Sequence, residues 1–170
     1  MLSEVNVLFL CTANSARSIL AEAYLNAAGS GRFVAYSAGS HPAGKVNPLA
    51  VELLQRKGLP VAQLRSKSWD EFAVSDAPKL DIVVTVCDAA ANEACPAWRF
   101  APLRAHWGVS DPASVSGSPQ ERRSAFSRAF AQLATRIDLL VALPVEKLDR
   151  PALRRELQRI AGHGSGASAA

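Results

Sequence analysis

Cys11 closes an apolar run, Val5 to Leu10, and is followed by five small or polar residues, Thr12, Ala13, Asn14, Ser15 and Ala16, and then by Arg17 and Ser18. A cysteine beside an arginine at the start of a helix favours the thiolate, and the thiolate is the nucleophilic form. A turn without bulky side chains lets backbone N–H groups converge on one point, and free N–H groups at a helix start add to them. Arg17 can grip two oxygens of an oxyanion with its planar fork. Ser18 can donate to the sulfur, and Asn14 suits a loop because it tolerates a left-handed backbone. The chemistry these residues point to is thiolate attack on a tetrahedral oxyanion cradled by residues 12–18. The loop lacks the Gly-Lys-Ser/Thr ending of a nucleotide-binding loop.

Two further cysteines, Cys87 and Cys95, bring the total to three. An odd number argues against a static disulfide framework and leaves inert thiols, a metal site or redox chemistry. There is no Cys-x-x-Cys pair and no cluster among His41, His106 and His163, so no metal site is expected. Asp111 stands before Pro112, which forces it into extended backbone. An aspartate near apolar Trp107 would hold its proton to higher pH and could act as a general acid.

These residues need a scaffold that brings strand ends together. Val5 to Leu10 and Asp81 to Cys87 read as buried strands, Phe33 to Ala38 as another, and Leu103 to Trp107 as a weaker fourth. Helices are expected from Ser18 to Ala28, after the Asn47-Pro48 cap as far as Gly58, and after Ser118 up to Pro144. A short one should follow the Ser68 capping box, and a last one carries Leu153, Leu157 and Ile160 on one stripe. Strands alternating with helices imply parallel pairing and a three-layer α/β domain over residues 1–161. Residues 162–170, "GHGSGASAA", are expected to be a disordered tail. In such folds ligands bind beyond the carboxyl ends of the strands, where Cys11 and Cys87 both fall.

The totals fit a single enzyme-sized domain. The chain has 170 residues, 49% of them apolar and 20% charged, with net charge +4. No apolar run is long enough to cross a bilayer, and the start of the chain does not resemble a signal peptide, so a cytoplasmic protein is expected. The basic residues near the C-terminus read as a solvated helix face, with no stacking platform for nucleic acid.

"CTANSARS" resembles the Cys-x5-Arg-Ser loop of the low-molecular-weight protein tyrosine phosphatase superfamily, and is most similar to its arsenate reductase branch. The likeness extends through "YSAGSHP", "VVTVCD" and "HWGVSDPA". It implies a four-stranded parallel sheet with flanking helices, a flavodoxin-like arrangement. It also implies reduction of arsenate, with phosphate or sulfate as mimics. Cys11 would form an arseno-thiol adduct, Cys87 would attack Cys11 and expel arsenite, and Cys95 would take the disulfide from Cys11–Cys87 to Cys87–Cys95. Arg17 would bind the oxyanion and Asp111 would be the acid. No cofactor is implied beyond a thiol reductant, either thioredoxin or glutathione with glutaredoxin; a mycothiol system is also open.

Had residues 88–94 formed one helix, the two cysteines would lie about 12 Å apart, beyond disulfide range. A mobile stretch from Asp88 to Pro96, looped or partly unwound in the oxidised form, is therefore expected. Ala113 follows the Asp-Pro where tyrosine phosphatases of this fold carry an aromatic residue; arsenate needs no such wall. Ala13 replaces a usual glycine, and would be strained if its φ were positive. Ala16 stands where some thioredoxin-linked relatives carry another cysteine. Asn14, Glu22 and Ser37 match a potassium site of some relatives, with Lys67 where an aspartate would be, so little potassium dependence is expected. The alternatives are a low-molecular-weight phosphatase acting on phosphate monoesters and a non-catalytic oxyanion-binding or arsenite-sensing module.

Overall fold

A computed structural model describes residues 4–164 of the chain. Strand β1 (Val5–Cys11) lies at the centre of a four-stranded sheet, with β2 (Phe33–Gly39) on one side and β3 (Ile82–Thr85) and β4 (Leu103–His106) on the other. All pairings are parallel, with Cys11 opposite Gly39, Leu10 opposite Thr85, and Thr85 opposite His106. The carboxyl ends of all four strands therefore open at one edge. Val86 and Cys87 lie beyond β3, where Val86 N–H still donates to Leu10 and its carbonyl accepts from Val109 N–H. That extension carries Cys87 to the same edge as Cys11.

The pleat divides the core. Val7, Phe9 and Cys11 face one side, packed with Ile19 and Leu20 of helix α1 (Arg17–Ala28), Leu53 and Leu54 of α2 (Pro48–Arg56), and Phe126, Leu133 and Ile137 of the long α4 (Pro119–Ala142). Leu8 and Leu10 face the other side, against Phe72, Leu80, Val83 and Trp98. That second layer is built of short pieces. The segment after Ser68 is a single 3-10 turn, Trp69–Phe72, because the Ser68 side chain accepts from Asp70 N–H while Glu71 turns away to Arg65. The expected box at Ser118 does form: its hydroxyl accepts from Glu121 N–H, the Glu121 carboxylate accepts from Ser118 N–H, and Pro119 takes the first turn.

Helix α5 (Arg150–Ala161) ends at Gly162, and the carbonyl of His163 accepts from Arg136 Nε at 2.6 Å. Arg136 is buried in α4, and its other donor reaches Gly108 at 3.0 Å. Burial pushes its pKa down from the usual arginine value, yet it ties α4, the chain after α5 and the loop after β4 together. The start of the expected tail is therefore anchored at His163, and residues 165–170 lie outside the described residues. Among the described residues no helix is long and apolar enough to cross a membrane.

Candidate active site

The loop from Thr12 to Ala16 is fastened from outside by its carbonyls. His41 N–H donates to Thr12, Ala43 N–H and Ser66 Oγ to Ala13, and Asn47 N–H to Ser15. With carbonyls bound outward, amide N–H groups are left to converge inward. Helix α1 begins at Arg17 with no side-chain cap at Ala16, so its first N–H groups are left for a ligand. Asn14 takes the left-handed conformation, φ 47°, and Ala13 does not, so alanine at position 13 carries no such strain. Gly39 permits the close approach of this loop: a Cβ there would collide with the Thr12 carbonyl and crowd Asn14 N and Cys11 O, each at 3.0 Å.

A directed chain of hydrogen bonds ends on the Cys11 sulfur. Asn14 Oδ1 accepts from Lys67 N–H, which fixes its amide orientation. Its Nδ2 donates to Ser18 Oγ at 2.8 Å and to Ser37 Oγ at 3.0 Å. Ser37 then donates to Glu22 Oε1 at 2.5 Å. Because Ser18 Oγ accepts from Asn14, its single proton is left for Cys11 Sγ, 2.9 Å away. Asn14, Ser18 and Ser37 are fully buried. Burial pushes the Glu22 carboxyl up, opposed by the Ser37 bond and by Lys67. Lys67 is itself buried, with Nζ 3.9 Å from Glu22 Oε1 and 3.0 Å from the Arg65 carbonyl. Burial lowers its pKa, partly offset by Glu22. The lysine does not face solvent; its ammonium lies beside Glu22 at the end of the Asn14–Ser37 network.

Five of the expected site residues come together. Thr12, Arg17, Cys87 and Asp111 line one cleft with Gly108 and Val109, and Cys11 adjoins it through Thr12. Thr12 Oγ1 lies 3.6 Å from Cys87 Sγ, a contact that residue spacing did not suggest. Arg17 donates to the Val109 carbonyl at 2.9 Å and approaches Asp111 Oδ2 at 3.8 Å. Asp111 also accepts from Ala113 N–H at 2.9 Å. Its surroundings differ from the apolar ones expected. Trp107 is turned into the core with its indole N–H on the Leu157 carbonyl, while Asp111 is part-exposed and faces a cation and an amide.

Cys95 stands apart. All three cysteines are free thiols. Cys87 caps helix α3 (Asp88–Ala91), its sulfur accepting from Ala90 N–H at 3.4 Å. The helix lasts one turn, and residues 92–100 run on as turns and loop. The single helix considered for residues 88–94 is therefore not formed in the thiol state. Cys95 Sγ accepts from Arg104 of β4 at 3.0 Å and opens on a different cavity. Among the described residues no cluster of His, Cys, Asp or Glu could hold a metal ion.

The likeness to known proteins agrees with this geometry. An arsenate reductase of Halalkalibacterium halodurans is 36% identical over 131 residues, 77% of this chain and 91% of that protein. The crystal structure of an arsenate reductase from Archaeoglobus fulgidus, 30% identical, superposes with a TM-score of 0.63 over 81% of this chain and 99% of that one. A thioredoxin-dependent arsenate reductase of Corynebacterium glutamicum, 25% identical, matches with a TM-score of 0.56 over 82% of this chain and 65% of that one. The family of low molecular weight phosphotyrosine protein phosphatases matches residues 6–156, and the chain belongs to that family.

Proposed function

We propose that this protein reduces arsenate to arsenite with its own thiols. The observation that carries the reading is a second thiol, Cys87, in the cleft of the oxyanion loop, 3.6 Å from Thr12 Oγ1. Ester hydrolysis needs one nucleophile; reduction needs a second thiol to supply electrons. Arsenate reductases among the relatives support the same reading.

Cys11 Sγ, as thiolate, attacks arsenic(V) while the loop amides and Arg17 hold the remaining oxygens. Asp111, part-exposed at the cleft beside Arg17, passes a proton taken from solvent to the departing oxygen, which leaves as water, and a sulfur–arsenic bond remains. Cys87 Sγ, as thiolate, then attacks Cys11 Sγ. The sulfur–arsenic bond breaks, its electron pair stays on arsenic, and arsenite leaves as arsenic(III). Two thiols have lost two electrons and are joined as Cys11–Cys87. Cys95 then attacks Cys87, Cys11 leaves as thiolate, and the disulfide becomes Cys87–Cys95. A protein thiol donor reduces it; the thioredoxin-dependent relative favours thioredoxin, with glutaredoxin the other candidate. Such a reductant belongs to the cytoplasm, where we place the protein.

The test is arsenite formation with a panel of thiol donors, run beside p-nitrophenyl phosphate hydrolysis. The reading expects arsenite turnover that Cys87→Ser abolishes. Ester hydrolysis at high rate without arsenite formation, unaffected by Cys87→Ser, would instead establish the phosphatase alternative; binding of arsenate without turnover would leave only a sensing module.

A further inference from the structure

Arg104 and His106 are two residues apart on β4, so their side chains leave the same face of the strand about 7 Å apart. Each meets one end of the segment between the two outer cysteines. His106 Nε2 meets Asp88 Oδ1 at 2.8 Å, next to Cys87, and its Nδ1 meets Thr85 Oγ1 at 2.7 Å. Arg104 Nη1 donates to Cys95 Sγ at 3.0 Å. β4 is an edge strand, and nothing in its pairing with β3 requires a cation at either position. A guanidinium at hydrogen-bond distance from a sulfur favours the anionic form.

From these contacts we propose that Arg104 is a positioning residue for the last internal step of the relay: its guanidinium holds the Cys95 sulfur and stabilises the anion that forms as Cys95 attacks Cys87, while His106 holds the Cys87 end of the segment on the same strand. This rests on the relay set out above. Before that step Cys95 gives its proton to solvent. Its sulfur then leaves Arg104 and bonds to Cys87 Sγ, the Cys11–Cys87 bond breaks, and the electron pair departs with Cys11 as thiolate. There is no net oxidation. Cys11 returns to Ser18, which has a proton to donate. The other charged group in the Cys95 cavity is Glu93, and its carboxylate is already engaged by Ser40 Oγ at 2.7 Å and His41 at 3.5 Å. Arg104 is thus the group whose charge acts directly on the Cys95 sulfur. The cavity, about 440 Å³ between α3, β4 and α5, gives the Cys95 side chain room to leave it.

The test uses the full-length reduced protein without arsenate. Alkylation by iodoacetamide is followed residue by residue by mass spectrometry in native, Arg104→Gln and Arg104→Lys proteins. At pH 7 Cys95 is expected to react about tenfold more slowly in R104Q and at close to the native rate in R104K. At about pH 10, where an ordinary thiol is largely ionised, all three should converge. An unchanged Cys95 rate at pH 7 in R104Q would overturn the proposal. So would an equal slowing at both pH values, which would mark altered shielding rather than charge. In a quenched single turnover with arsenate, R104Q is expected to accumulate the Cys11–Cys87 disulfide. Failure of the relay is read separately: native protein would then release arsenite with no Cys87–Cys95 disulfide, whatever the alkylation rates.

Discussion

Replacing Ser18 by alanine removes one oxygen and tests how the Cys11 sulfur is held. In the folded protein that oxygen accepts from Asn14 Nδ2 at 2.8 Å and stands 2.9 Å from Cys11 Sγ, in a fully buried position. A hydrogen bond to a charged partner contributes about 1.5–3 kcal/mol. At about 1.4 kcal/mol per factor of ten, S18A should lower Cys11 reactivity at pH 6 by about ten- to a hundredfold. Stability should fall as well, because one Asn14 N–H loses its acceptor; a buried orphan donor costs about 1–3 kcal/mol. Asn14 keeps Ser37 and Lys67 N–H, so the loop should survive. The assay is iodoacetamide alkylation of Cys11 against pH, in a protein with Cys87 and Cys95 replaced by serine, paired with urea unfolding. A folded S18A protein whose Cys11 reacts at the native rate across the neutral range would refute the reasoning.

Three further outcomes are expected. Gly39→Ala places a Cβ against the Thr12 carbonyl, Asn14 N and Cys11 O, so it should abolish most oxyanion binding while circular dichroism stays near native; tight binding of phosphate or arsenate by calorimetry would contradict this. Lys67→Ala removes the cation beside buried Glu22, which should cost about 3 kcal/mol and create a gain in activity on adding potassium at fixed ionic strength that native protein lacks. Burial raises the folded pKa of Glu22, so its stabilising contribution is present at acid pH and lost as pH rises through the folded value; without Lys67 that value rises further, and the K67A deficit should shrink on acidification. Tyr24, whose hydroxyl donates to Asp138 at 2.6 Å, has its pKa pushed up to about 12, mainly by that bond. Its contribution should be complete below about pH 10 and lost as pH rises through about 12, so unfolding midpoints of native protein, but not of Tyr24→Phe, should show that alkaline step.

The loop after β1 was legible because its local signals agree. A strand-length apolar run, a turn of small residues and a helix start leave few ways to fold, and Asn14 at a left-handed position follows from residue type. Helix caps at Asn47 and Ser118 are likewise local and form as side-chain oxygens bonding to nearby N–H groups. The end of β3 was less legible: Val86 and Cys87 share its apolar run, yet the ladder to β4 stops at Thr85. Long-range contacts were not legible at all. Nothing near Arg104 signals Cys95, which a loop brings to β4, and nothing near Gly39 signals the Thr12 carbonyl, which the β1–β2 register brings beside it. The environment of Asp111 was misread for the same reason. Trp107 is close in sequence, but the turn after β4 sends its indole to α5 and leaves Asp111 facing Arg17.

The relay itself is tested most directly by a single turnover with one equivalent of arsenate and no external reductant, quenched with acid and mapped by mass spectrometry. One equivalent of arsenite should accompany a Cys87–Cys95 disulfide with Cys11 returned to the thiol, and Cys95→Ser should stop the protein at Cys11–Cys87. Arsenite formed while Cys87 and Cys95 both remain thiols would contradict the account.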